Sequence, residues 1–125
     1  GGDIVETLYV YTDIDCSYCR KFHRDIGKLN NAGIAVQYFA FPRSGPESGS
    51  YDKAVNVWCA PDRQKALTNA KKGRPIDSPK CVNPVSKHRE FGIDMGIKGT
   101  PAVYTSQGHA LGGYVPAGEL IKLLR

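Results

Sequence analysis

No run of the roughly 18–20 consecutive apolar residues needed by a membrane-spanning helix occurs anywhere in the chain. The opening Gly1-Gly2-Asp3 has neither the basic nor the apolar segment of a secretory leader, so the sequence reads as a mature, processed or trimmed segment. There is no internal repeat, heptad pattern or low-complexity tract. Cysteine is scarce: four residues stand at 16, 19, 59 and 81, and only the first two have C-x-x-C spacing. A ribbon-type zinc site needs two such knuckles. The other pair is 22 positions apart, and Cys16, Cys19 and His23 together would supply three ligands on one helix, without an obvious fourth. No metal is expected. Acidic residues are also in deficit, 12 against 17 Lys+Arg, for a formal charge of +5. The basic residues are dispersed, and no aromatic residues alternate with them as a base-stacking platform requires, so nucleic acid is not expected as a partner.

What is present suffices for one folded unit with a real core: 125 residues, 41% of them hydrophobic. TLYVYT (7–12) is a β-branched and aromatic run that predicts a buried strand. Residues 16–29 carry Phe22, Ile26 and Leu29 at helical spacing and predict one helix, closed by Asn30-Asn31-Ala32-Gly33. IAVQYFAF (34–41) predicts a second strand, so the start of the chain reads as a β-α-β unit with parallel strands. A Gly/Ser-rich loop leads to two predicted helices, 51–60 and 62–71, broken at Pro61, and a polar loop precedes a third at 83–95. The pattern then returns to strands at 102–105 and 110–115, and Pro116 opens a last short helix. The order is β-α-β, a helical insertion, then β-β-α.

Within this frame, CSYC (16–19) falls where the first strand gives way to a helix. The unpaired N–H groups of a helix's first turn, with the positive end of its dipole, stabilise a thiolate and lower the pKa of the first cysteine. The second cysteine lies one turn on, placed to attack a mixed disulfide formed on the first. Cys16 is therefore the expected nucleophile and Cys19 the resolving thiol. Asp15 has two opposed effects here. It could cap the helix, while its charge would oppose a thiolate next to it. Arg20 and Lys21 act in the thiolate's favour. Cys59 and Cys81 are either bridged or two separate buried thiols; bridged, they would close a loop contributing about 3 kcal/mol through chain entropy, and would imply an oxidising compartment.

Three features coincide: CSYC after a strand, GTPAV (99–103) opening the later strands, and a helical insertion between them. This is the pattern of the thioredoxin fold. TDIDCSYCRKFH, together with YFAFPRSG, VWCA, SPKCVNPV, GIKGTPAVYTSQG and GGYVP, closely resembles the catalytic domain of the DsbC/DsbG family of bacterial periplasmic disulfide isomerases. The resemblance runs from about Leu8 to the C-terminus. It implies an α/β thioredoxin-like catalytic domain over 1–125, with the helical insertion at about 51–95. Cys16 then matches the exposed attacking cysteine and Cys19 its buried partner. Thr100 and Pro101 match the Thr and cis-proline beside the active pair, where the Thr100 backbone would pair with an extended substrate segment. Ser17, Tyr18, Thr100 and Pro101 become candidate substrate-binding residues, and Cys59 with Cys81 matches the structural disulfide. The implied activity is reduction or reshuffling of non-native disulfides in extracytoplasmic, periplasmic proteins, with no cofactor. Implied partners are misoxidised proteins, a membrane-bound thiol reductant of the DsbD type and, through an N-terminal domain not in this chain, a second copy of the protein.

The sequence departs from the family at Ser17, where Gly is typical, at Asp15, where an uncharged Thr is, and at Arg20, where His is usual. All three lie near Cys16, so its potential and pKa are not transferable. Tyr18 suits substrate contact on the rim; His23 suits packing or capping; His88 and His109 read as structural or exposed, and Trp58 as a core residue of the insertion. Competing readings are a monomeric thiol oxidase or reductase without isomerase activity, a chaperone-like binding module built on the groove around Tyr18 and Pro101, and a zinc module.

Overall fold

The computed structural model describes residues 4–78 and 80–124. Strand β1 (Glu6–Thr12) is central, with β2 (Ile34–Ala40) parallel to it on one side and β3 (Ala102–Tyr104) antiparallel on the other. The register pairs Val10 with Tyr38 of β2 and with Val103 of β3. Alternation along β1 divides its side chains between two faces. Leu8 and Val10 join Ile34 and Val103 in a core covered by Phe22, Leu29, Ala117 and Leu120. Tyr9 and Tyr11 belong to the other face, where Tyr11 stacks on Phe39 at 5.1 Å and meets Phe41 edge-on.

The crossover between β1 and β2 is two helices, α1 (Ser17–Arg24) and α2 (Ile26–Asn31), where the periodicity predicts one. The break falls at Asp25, whose N–H bonds back to Phe22 O while its carbonyl starts the next helix. Asp25 and Gly27 are both weak helix formers, and Phe22 and Leu29 reach the core across the break. The insertion comprises α3 (Gly49–Trp58), α4 (Arg63–Lys71) and α5 (Val85–Asp94). Helix α3 starts two residues before the predicted position because the Ser48 hydroxyl accepts from Tyr51 N and caps it. These helices build a second core from Val57, Trp58, Leu67 and Val85, joined by Ile14 and Ala40.

The strand expected at 110–115 is reduced to a single bridge between Tyr104 and Ala110, followed by the Leu111 N to Val103 O bond. Gly112 takes a positive φ of 84° there, which turns the chain out of the ladder. The last helix, α6 (Ala117–Leu124), returns over the first core through Leu120. Cys59 and Cys81 are bonded, with Cα atoms 5.7 Å apart, tying the end of α3 to the segment before α5.

Candidate active site

The site begins where β1 ends. Thr12 and Asp13 are buried, and Asp13 O accepts from Cys16 N, turning the chain into α1. The cap of α1 is Cys16 itself: its sulfur accepts from Cys19 N at 3.3 Å. This displaces Asp15 from the expected capping role, because the helix begins at Ser17, too late for the Asp15 side chain to reach its free N–H groups. Asp15 turns aside instead, accepting from Arg20 at 3.2 Å, Lys53 at 2.8 Å and the Ser50 hydroxyl at 2.6 Å. Partial burial raises its pKa, but Lys53, Ser50 and Arg20 outweigh that and hold it below the usual carboxylate range. Its charge is thus met by two cations before it can act on Cys16.

Cys16 and Cys19 are both reduced. The resemblance puts the first of them in an exposed position, but its residue is only 3% exposed. The segment carrying Thr100 closes over it, and the Cys16 thiol donates to Thr100 O at 3.3 Å. The Thr100 hydroxyl is buried without a hydrogen-bond partner among the described residues, so it is free to turn toward whichever sulfur is ionised. The Thr100–Pro101 peptide is cis, and Pro101 is buried.

Burial alone would raise the Cys16 thiol. Hydrogen bonding from Thr100 and Cys19, and then the charge of Arg43, outweigh it, so the net shift is downward. Burial wins at Cys19, which is pushed up. The two cysteines therefore differ in the sense a nucleophile and a resolving thiol require.

Arg43 had no assigned role in the sequence, although it lies within the YFAFPRSG stretch. It is fixed by Asp13, whose Oδ2 accepts from both Arg43 Nε (3.0 Å) and Arg43 N (3.1 Å). The available signal was an acidic residue three positions before the cysteine and a basic one just after the second strand. Their pairing is visible only once β1 and β2 lie side by side.

Tyr18 is 57% exposed and faces Tyr114, with ring centroids 5.6 Å apart. Lys21 sits over the Tyr114 ring at 5.2 Å, which turns the rim into an aromatic platform with a cation beside it. Tyr114 too had no assigned role in the sequence. Ser17 is exposed at the start of α1. The structure thus brings Cys16, Cys19, Thr100 and Pro101 together, sets Ser17 and Tyr18 at the rim, and keeps Cys59–Cys81 apart in the insertion. His23 packs: its ring nitrogens pair with Tyr38 Oη at 2.9 Å and Thr68 Oγ1 at 2.8 Å. His88 accepts from Ala40 N and lies against Trp58, while His109 is exposed.

A dithiol at a helix start, with one sulfur of lowered and one of raised pKa and a backbone carbonyl beside it, can do thiol–disulfide exchange. The chain belongs to the thioredoxin-like domain family, whose sequence profile matches residues 2–125. Within that class it is 38% identical over 118 residues, 94% of its length, to the thiol:disulfide interchange protein DsbC of Salmonella typhimurium. It is 39% identical over 115 residues to the DsbC of Haemophilus influenzae, 92% of its length. Each match covers 50% of the relative, so the chain spans about half the length of the curated relatives it matches. The crystal structure of a disulfide interchange protein from Neisseria gonorrhoeae superposes with a TM-score of 0.84 at 30% identity, covering 98% of this chain and 90% of that one.

Proposed function

We propose that this chain is the catalytic unit of a thiol–disulfide oxidoreductase of the isomerase type, acting on misoxidised proteins outside the cytoplasm. The observation that carries the reading is Cys16 at the cap of α1, its pKa lowered by surrounding donors and Arg43 despite burial. The Cys16 thiolate attacks one sulfur of a substrate disulfide, forming a Cys16–substrate bond and releasing the other substrate sulfur as thiolate. A second substrate thiolate can then attack the mixed disulfide and re-form a different substrate disulfide, returning Cys16 reduced; no net electrons are transferred. Alternatively Cys19 attacks Cys16, the Cys16–Cys19 bond forms, and the substrate leaves two electrons richer. A reductant must then restore the dithiol; a membrane-bound thiol donor of the DsbD type fits that need. Ser17, Tyr18, Thr100 and Pro101 form the substrate contact in this reading, with Tyr114 added to the rim, and Cys59–Cys81 has a structural role. A segment joining two copies, outside this chain, is compatible with its matching only half the length of the curated relatives.

Cys16→Ser is expected to abolish insulin reduction, and Cys19→Ser to accumulate mixed disulfides trappable on gels. Full reduction by Cys16→Ser would overturn the assignment. Refolding of scrambled ribonuclease separates an isomerase from a plain reductase, which would reduce insulin but leave scrambled substrate inactive, and from an oxidase, which would form disulfides in reduced ribonuclease without reshuffling scrambled ones. Suppression of aggregation that survives loss of both cysteines would favour a binding module instead.

A further inference from the structure

Lys71, the last residue of α4, is a buried cation outside the machinery described so far, only 5% exposed. Burying an ammonium without a counter-ion is costly. Lys71 nevertheless forms no ion pair with a carboxylate among the described residues. Its ammonium donates to Thr12 Oγ1 at 2.6 Å and lies 5.5 Å over the Tyr38 ring. Thr12 ends β1, four residues before Cys16, so the long side chain is drawn inward to the strand end that launches the dithiol.

Helix packing aligns it with Cys19. Thr68 of α4 meets His23 of α1 at 2.8 Å. One turn along the same face of α4 from Thr68 is Lys71, and one turn back along α1 from His23 is Cys19, itself 1% exposed. A cavity of about 280 Å³ lined by Arg20, His23, Thr68, Lys71 and Lys72 opens beside the contact.

We propose that Lys71 is a positioning residue whose buried charge holds the Cys19 thiolate and thereby sets how fast Cys19 resolves the mixed disulfide on Cys16. This rests on the exchange reading above and deepens it. Cys19 gives up its thiol proton, which passes to solvent, and its thiolate forms the bond to Cys16 Sγ. The Cys16–substrate bond breaks, and its electron pair leaves on the substrate sulfur, which takes a proton from solvent. The energetics are reciprocal: burial pushes Lys71 down to about 8, while the charges of Cys19, Cys16 and Asp13 act to raise it and Arg20 to lower it. Around Cys19, burial raises the thiol and Thr100, Asp13 and Lys71 act to lower it. The consequence is a division of labour. Arg43 and the donors at the cap of α1 govern attack on substrate; Lys71 governs whether the substrate stays bound long enough to isomerise or is released reduced.

The test is stopped-flow reaction of the reduced protein with an aromatic disulfide such as dithionitrobenzoate, which releases one chromophore on attack by Cys16 and a second on resolution by Cys19. In Lys71→Met the second phase at pH 7 should slow about tenfold, equivalent to about one pKa unit, and its pH midpoint should rise. The first phase should change less than about threefold, because the hydrogen bonds of Thr100 and Cys19 dominate at Cys16, where Lys71 adds only a weaker charge interaction; Lys71→Arg should recover most of the loss. An unchanged second phase, or both phases falling together, would overturn the inference. If Lys71→Met fails to fold, ¹³Cε NMR of Lys71 keeps the test open: its titration midpoint should be higher in the wild type than in Cys19→Ser, and equal midpoints would overturn it. Absence of any chromophore release from the wild type would instead count against the exchange reading itself.

Discussion

At Cys16 the contest is between burial, which opposes a thiolate, and a set of donors that favours one. Hydrogen bonds and Arg43 win. Replacing Arg43 by Met should therefore raise the Cys16 pKa and slow its alkylation at pH 7 by about three- to tenfold; an unchanged rate would remove Arg43 from the account. His23 supplies a second residue-scale prediction. Burial, with Lys71 and Lys72 nearby, pushes it down to about 4, whereas the unfolded chain protonates it near 6.5. The unfolded state thus binds more protons between those values, so stability falls as pH drops from about 6.5 to 4, by about 2 kcal/mol after allowance for its partial exposure. Histidine NMR checks this directly, since a His23 midpoint near 6.5 would contradict it. The dithiol's spacing was legible in the sequence because helix geometry is local. Asp15 was legible only as a pair of opposed effects, because Lys53 and Ser50, which with Arg20 absorb its charge, come from a distant helix.

Among the elements, the strands and most helices could be read from hydrophobic periodicity, and the misreadings share a cause. The break at Asp25 is a local turn closed by its N–H on Phe22 O, and the strand at 110–115 is lost where Gly112 takes a positive φ; periodicity is blind to both. Helix α5 shows how closely elements approach. A Cβ added at Gly92 would lie 2.5 Å from the Phe41 ring, inside the aromatic layer shared with Tyr11. Gly92→Ala should destabilise the fold by about 1–3 kcal/mol through overpacking, despite alanine's better helix propensity; thermal or urea unfolding would measure it, and a stabilised variant would contradict the packing. Removing the Cys59–Cys81 bridge by double Ala substitution should cost about 2–4 kcal/mol by the same measurement, and an unchanged midpoint would show that the insertion holds itself together. The cysteine spacing left that pair open between a bond and two thiols.

Over the whole molecule, the strand order, the insertion and the position of the dithiol follow the thioredoxin-like pattern that the motifs suggested. The charges around the sulfurs were not legible, because they arrive by tertiary contact. Arg43 comes from beyond β2 and Lys71 from the end of α4, and only the fold brings either of them to the sulfurs. The result is a dithiol within the field of two cations, Arg43 and Lys71, built on a frame whose two cores meet at β2. The most direct test is the pH dependence of alkylation of the reduced protein, with the modified residue identified by mass spectrometry. Cys16 should react first, with a midpoint below the ordinary thiol value of about 8.5. Reaction first at Cys19, or a Cys16 midpoint at or above that value, would contradict it.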